Sequence, residues 1–114
     1  MFELGTTQIN PDHIIKMFIE KEGLTKIVIS NGSIKSPINP FDVEHLATGG
    51  DEEKSPFVPV TVSNSKNTEL LHRDHITALL PNSRGGAKVL LSDGTYVWTL
   101  ETQDHILDMM DPGQ

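Results

Sequence analysis

The sequence predicts an α+β fold of mostly antiparallel strands. Two repeated β-hairpin modules pack as a sandwich or partial barrel, each followed by a short helix. Three observations carry this. Residues 12–32 and 74–94 align without a gap at an offset of 62, matching Asp12/Asp74, His13/His75, Ile14/Ile76, Gly23/Gly85, Lys26/Lys88, Ser30/Ser92 and Gly32/Gly94. Average residue usage gives roughly one or two identities in such a window. Each copy also runs a β-rich segment into a turn dipeptide, Asn31-Gly32 or Asp93-Gly94, the preferred central pair of two-residue type I′ hairpins. Finally, each copy ends in an apolar triplet at helical spacing between a capping residue and a glycine or proline stop. Self-similarity of this kind reads as tandem duplication around one shared core.

Taken in order, short β segments open each module, near residues 2–9 and near 57–62 with 68–71. Pro59 cannot donate to a ladder, so its segment belongs at a sheet edge. Strands follow at 14–20 and 76–80. A turn at Glu22-Gly23, or at Ser83 to Gly86, leads into the hairpins 27–35 and 89–98. Two-residue loops imply that Ile29 pairs with Ile34, Leu91 with Tyr96 and Val89 with Trp98. Val89, Leu91, Tyr96 and Trp98 then form one core face. Asn39 caps a helix with Pro40 at its first position and Val43, Leu46 and Ala47 on its apolar stripe, stopped by Gly49-Gly50. Thr102 caps the second, with Ile106, Met109 and Met110 on the stripe and Pro112-Gly113 as the stop. These triplets differ by 63, one residue more than the hairpins. The whole chain 1–114 reads as a single domain: module one about 1–48, an acidic linker about 49–55, and module two about 56–111.

With 114 residues, 36% hydrophobic and 22% charged, the chain suits a folded globule that buries roughly two-thirds of its unfolded surface. No apolar run reaches the length of a membrane span. The absence of cysteine excludes a disulfide framework and fits a reducing, cytoplasmic setting, as does an N-terminus without signal-peptide character. Net charge is −7 and spread along the chain with no basic stripe, which argues against nucleic acid as a partner.

Acid–histidine dipeptides recur at Asp12-His13, Glu44-His45, Asp74-His75 and Asp104-His105. Such residues ligate zinc or iron, yet strand neighbours face opposite ways, and turn chemistry explains Asp12 and Asp74. No metal site, cofactor or catalytic residue is assigned. His72-Arg73-Asp74 lacks every partner that gives those letters meaning in a kinase. Residues 83–88 miss the spacing of a phosphate loop.

The segments Ile9-Asn10-Pro11-Asp12-His13-Ile14 with Ser30-Asn31-Gly32, and Leu71-His72-Arg73-Asp74-His75-Ile76 with Leu91-Ser92-Asp93-Gly94-Thr95, resemble the short β unit of the swarming-motility family FlbD. More distantly they are similar to the hairpins of LytTR-type domains. The first resemblance implies no catalytic residues. The second implies DNA binding through polar and basic side chains, a set this sequence does not display. The expected function is therefore a non-enzymatic interaction or regulatory protein, such as a phage factor acting on a host protein. It contacts its partner through Asp51, Glu52, Glu53, Ser65 and Lys66 and is able to form homo-oligomers through exposed strand edges. One alternative is a small-ligand binder with Arg73, Arg84, His13 and His75 at the module seam or a protomer interface. The other is a metal-dependent enzyme with a histidine site.

Overall fold

The computed structural model describes residues 1–51 and 55–110, and the chain divides into two compact units, Met1–Ser55 and Pro56–Gln114. The fold is α+β: mostly antiparallel strands with two helices. In the first unit, β1 (Phe2–Leu4) and β2 (Thr7–Ile9) form a hairpin, and a 3-10 turn, Pro11–His13, leads into β3 (Ile14–Ile19). β3, β4 (Thr25–Ile29) and β5 (Gly32–Ser36) make a meander, followed by α1 (Pro40–Thr48). The second unit repeats this order. β6 (Phe57–Thr61) pairs with β7 (Thr68–His72), and a 3-10 turn, Arg73–His75, enters β8 (Ile76–Pro81). β9 (Ala87–Leu91), β10 (Tyr96–Thr99) and α2 (Gln103–Met110) complete it. Pro59 sits on β6, the terminal strand of its sheet, where its missing N–H costs no ladder bond.

The sequence identities at offset 62 have matching local bonds. Ser30 N–H donates to His13 C=O and Ser92 N–H to His75 C=O. His13 Nδ1 lies 3.1 Å from Ser30 Oγ, and His75 Nδ1 lies 2.7 Å from Ser92 Oγ. A register shift follows Ile14 on β3 and Ile76 on β8. Gly23 donates to Glu20 C=O and Gly85 to Asn82 C=O, with φ of +82° and +93°, values that suit a residue without Cβ. The turns before β3 and β8 are capped two residues ahead of the expected Asp12 and Asp74. Asn10 Oδ1 accepts from the Asp12 N–H at 3.0 Å, and His72 Nδ1 accepts from the Asp74 N–H at 3.1 Å.

The hairpin tips depart from the expected registers. Asn31 does not have positive φ, which excludes a type I′ turn there. Ile29 pairs with Gly32, and Ile34 pairs with Ile27. This two-residue displacement leaves Ile34 on its expected face. The second tip has larger consequences. Gly94 N–H donates to Leu91 C=O, Leu91 N–H donates to Thr95 C=O, and Gly94 has φ +86°. This is a three-residue loop, a tight turn followed by glycine in the left-handed region. The additional residue turns over every side chain of β10. Tyr96 pairs with Leu90 and Trp98 with Lys88, so Val97 and Thr99 are buried while Tyr96 and Trp98 face solvent. The expected core face of Val89, Leu91, Tyr96 and Trp98 is thus half wrong.

The same additional residue accounts for the offset of 63 at the helices. Val43 and Ile106 are both fully buried plugs. Asn39 Oδ1 caps α1 by accepting from Asp42 N–H at 3.0 Å, and Gly49 ends the helix at φ +67°. Thr102 Oγ1 accepts from His105 N–H at 3.3 Å at the start of α2. Leu46, expected on the apolar stripe, is 43% exposed, and α1 buries Pro40 and Val43 instead. Among the described residues, no helix is long and apolar enough to cross a membrane.

Candidate nucleic-acid interface

The solvent-facing side of β8, β9 and β10 carries two rows of side chains. Leu80, Lys88 and Trp98 are register neighbours in one row, and Ala78, Leu90 and Tyr96 in the other. Leu80, Tyr96 and Trp98 are exposed, at 42%, 53% and 37%. Three large apolar side chains thus stand exposed on one sheet face. Lys88 Nζ lies 4.3 Å from the Tyr96 ring centroid and 5.2 Å from that of Trp98. The two rings meet edge to face at 6.1 Å. Ring quadrupoles hold the ammonium over the face.

The edge of this surface opens into a cleft of about 500 Å³, lined by Ser63, Asn64, Asn82, Arg84, Trp98 and Leu100 among others. Its frame is stiff. Trp98 C=O accepts from Ser63 N–H at 2.8 Å, and Leu100 N–H donates to Thr61 C=O at 3.0 Å. Asn82 Oδ1 accepts from the Arg84 N–H at 3.1 Å, which shapes the turn that presents the arginine. Lys66, Arg73, Arg84 and Lys88 form no ion pair with a described carboxylate. Residues 76–100 hold Arg84 and Lys88 against the single acid Asp93, whose Oδ1 accepts from Thr95 N–H and Oγ1–H.

The first unit pairs two of its lysines, Lys26 and Lys35. Glu20 lies 3.1 Å from Lys35 and 3.7 Å from Lys26, and Glu22 lies 3.7 Å from Lys35. The hydrogen-bonded Glu20 carboxylate, with Glu22 beside it, raises the Lys35 pKa above the usual lysine value.

The residues expected to bind a ligand do not form one group. His13 and His75 are each engaged with a serine hydroxyl, His75 also packing edge to face on His72 at 5.2 Å. Arg73 shares the 3-10 turn with His75, whereas Arg84 borders the cleft. Of the expected partner contacts, Ser65 and Lys66 are exposed on the loop after β6, where Lys66 has φ +62°. Asp51 is half-buried, and Glu52 and Glu53 fall outside the described residues. Among the described residues no group of three or more metal-ligating side chains converges. Sequence reasoning missed Tyr96, Trp98 and Lys88, because the assumed loop length placed the rings in the core.

Neither a protein-family model nor a curated sequence matches the chain. Among solved structures it is similar to the LytTr DNA-binding domain of a putative methyl-accepting/DNA response regulator from Bacillus cereus. The TM-score is 0.61 at 10% identity, over 91% of this chain and 85% of that one. The match spans both modules together, not one hairpin at a time. It overturns three expectations: a phage factor or other protein-binding partner, the ligand-sequestering and metal-enzyme alternatives, and the reading of nucleic acid as an unlikely partner. Net charge is a sum over the whole chain, while a contact surface responds to charges within about one Debye length, roughly 8–10 Å. The chain shares its fold with that LytTr domain.

Proposed function

We propose that this chain is a non-enzymatic DNA-binding domain. The observation that carries the reading is the fold likeness to a LytTr DNA-binding domain over nearly the full chain. The acid-poor face of β8–β10, with Arg84 and Lys88 outside any ion pair with a described carboxylate, supports it. A net charge of −7 slows encounter with a polyanion and sets a low ceiling on non-specific affinity. Engagement of two phosphates by Arg84 and Lys88 gives a log–log salt slope of about −2 on duplex DNA. A cytoplasmic location accords with the absence of cysteine. The two units descend from one doubled module in this reading, supported by the paired His–Ser contacts at offset 62.

The test is fluorescence anisotropy of labelled random-sequence DNA, duplex and single-stranded, titrated at low salt and then at increasing salt. Saturable binding that weakens with salt is expected. No binding to either form at protein concentrations up to about 0.1 mM, the weak end of ordinary non-specific affinity, overturns the reading.

A further inference from the structure

We infer that the solvent face of β8–β10 is a stacking platform for unpaired bases, so that the preferred ligand is single-stranded DNA. The inference rests on the DNA-binding reading and assigns it a surface and a strand state. Duplex DNA hides the flat faces of its bases, and an exposed aromatic ring gains little from it. A single strand offers those faces together with phosphates spaced along the backbone. Every base has a π-face, so rings beside cations bind single strands with little regard to sequence. Tyr96 and Trp98 supply the rings. Lys88 sits between them, 4.3 and 5.2 Å from their centroids. Arg84 stands at the cleft bordering Trp98.

The first unit is an internal control. Register sets Lys35, Lys26 and Phe18 in one row across three strands, as it sets Trp98, Lys88 and Leu80. Ser33 occupies the place corresponding to Tyr96. The turn residues Glu20 and Glu22 correspond, at offset 62, to Asn82 and Arg84. One version of the face has a single ring, Phe18, with Lys16 Nζ 5.5 Å from its centroid, and two carboxylates that pair with Lys26 and Lys35. The other has two rings, and an amide and a guanidinium in place of the two carboxylates. Both differences favour a polyanion with exposed aromatic bases, and both fall on the second unit. Leu80, 42% exposed on the same face, adds apolar area suited to a thymine methyl.

Trp98 is the chain's single tryptophan, so intrinsic fluorescence reports on the platform alone. An oligothymidine of about twelve nucleotides, within the ~4–16 nucleotide site range, is expected to quench it saturably. Tyr96→Ala, which keeps the reporter, weakens binding roughly tenfold by loss of one stacking contact. The pair Asn82→Glu with Arg84→Glu, copying the turn of the first unit, removes binding while far-UV circular dichroism stays unchanged. Trp98→Leu is followed by anisotropy of a labelled strand and also loses about tenfold. Duplex binding without quenching overturns the platform and leaves DNA binding standing. Equal affinity for an abasic strand of the same length overturns stacking, and tighter binding of oligouridine overturns the assignment to DNA. Failure of single strand and duplex alike removes both readings.

Discussion

Replacing Gly86 with alanine tests how closely the 82–86 turn is held against β10. A Cβ at Gly86 would lie 1.9 Å from Thr99 O and 3.0 Å from Thr99 C. Carbon and carbonyl oxygen meet comfortably at about 3.3 Å or more, so one backbone segment must retreat by about 1.4 Å. Thr99 has little freedom to do so. It is fully buried, pairs with Ala87, and donates its hydroxyl to Glu101 C=O at 2.9 Å. Gly85 is the matched control, with φ of +93° against +82° at Gly86 and nothing within 4 Å of where its Cβ would stand. Both alanines carry the cost of a left-handed residue, about 1–2 kcal/mol. Only the one at Gly86 adds overpacking, about 1–3 kcal/mol. Gly86→Ala is thus expected to lose about 2–5 kcal/mol and Gly85→Ala about 1–2 kcal/mol. Urea unfolding followed by circular dichroism, compared at constant m-value, measures both. A difference between the variants below about 0.5 kcal/mol, the scatter of ordinary surface substitutions, refutes the close approach.

Three further outcomes follow from local contacts. Asn39→Ala removes the cap that accepts from Asp42 N–H and the 2.9 Å bond from its amide to Asp42 Oδ2, lowering stability by about 1 kcal/mol in the same urea assay. Ser92→Ala breaks the 2.7 Å contact with His75 and costs about 0.5–1.5 kcal/mol, while Ser33→Ala, on the exposed start of β5, stays within about 0.5 kcal/mol. Lys35 gains its raised pKa first from Glu20, so while the carboxylate is ionised the pair stabilises at pH below the ordinary lysine value, about 10.4, and the contribution fades as pH rises through the higher folded-state value. Glu20→Gln is expected to move the Lys35 titration, followed by NMR of its side chain, back toward that ordinary value. An unmoved titration removes Glu20 as the cause.

Much of this architecture is legible in one dimension. Chain-local chemistry is enough to locate β3, β4, β8 and β9, the glycine turns at Gly23 and Gly85, and the helices capped by Asn39 and Thr102, because each depends on residues a few positions apart. The offset of 62 matches His13 with His75 and Ser30 with Ser92, but not the bonds that join them, nor which atoms close the preceding turns. What the sequence left open is the tip of the second hairpin. Asp93-Gly94 is compatible with loops of two or three residues, and the three-residue loop puts Val97 and Thr99, not Tyr96 and Trp98, on the buried face. Only the packed sheet decides between them, and the choice puts Tyr96 and Trp98 in the core or in solvent. Net charge has the same weakness as a guide to partners. It is a sum over the chain, whereas Glu20 and Glu22 neutralise lysines in one unit and Asn82 and Arg84 replace them in the other. Sequence alone determined the order of strands and helices and the glycine turns at Gly23 and Gly85. Tertiary structure decided which face each strand shows to water, because register depends on the total burial of a sheet and not on any neighbouring pair of residues.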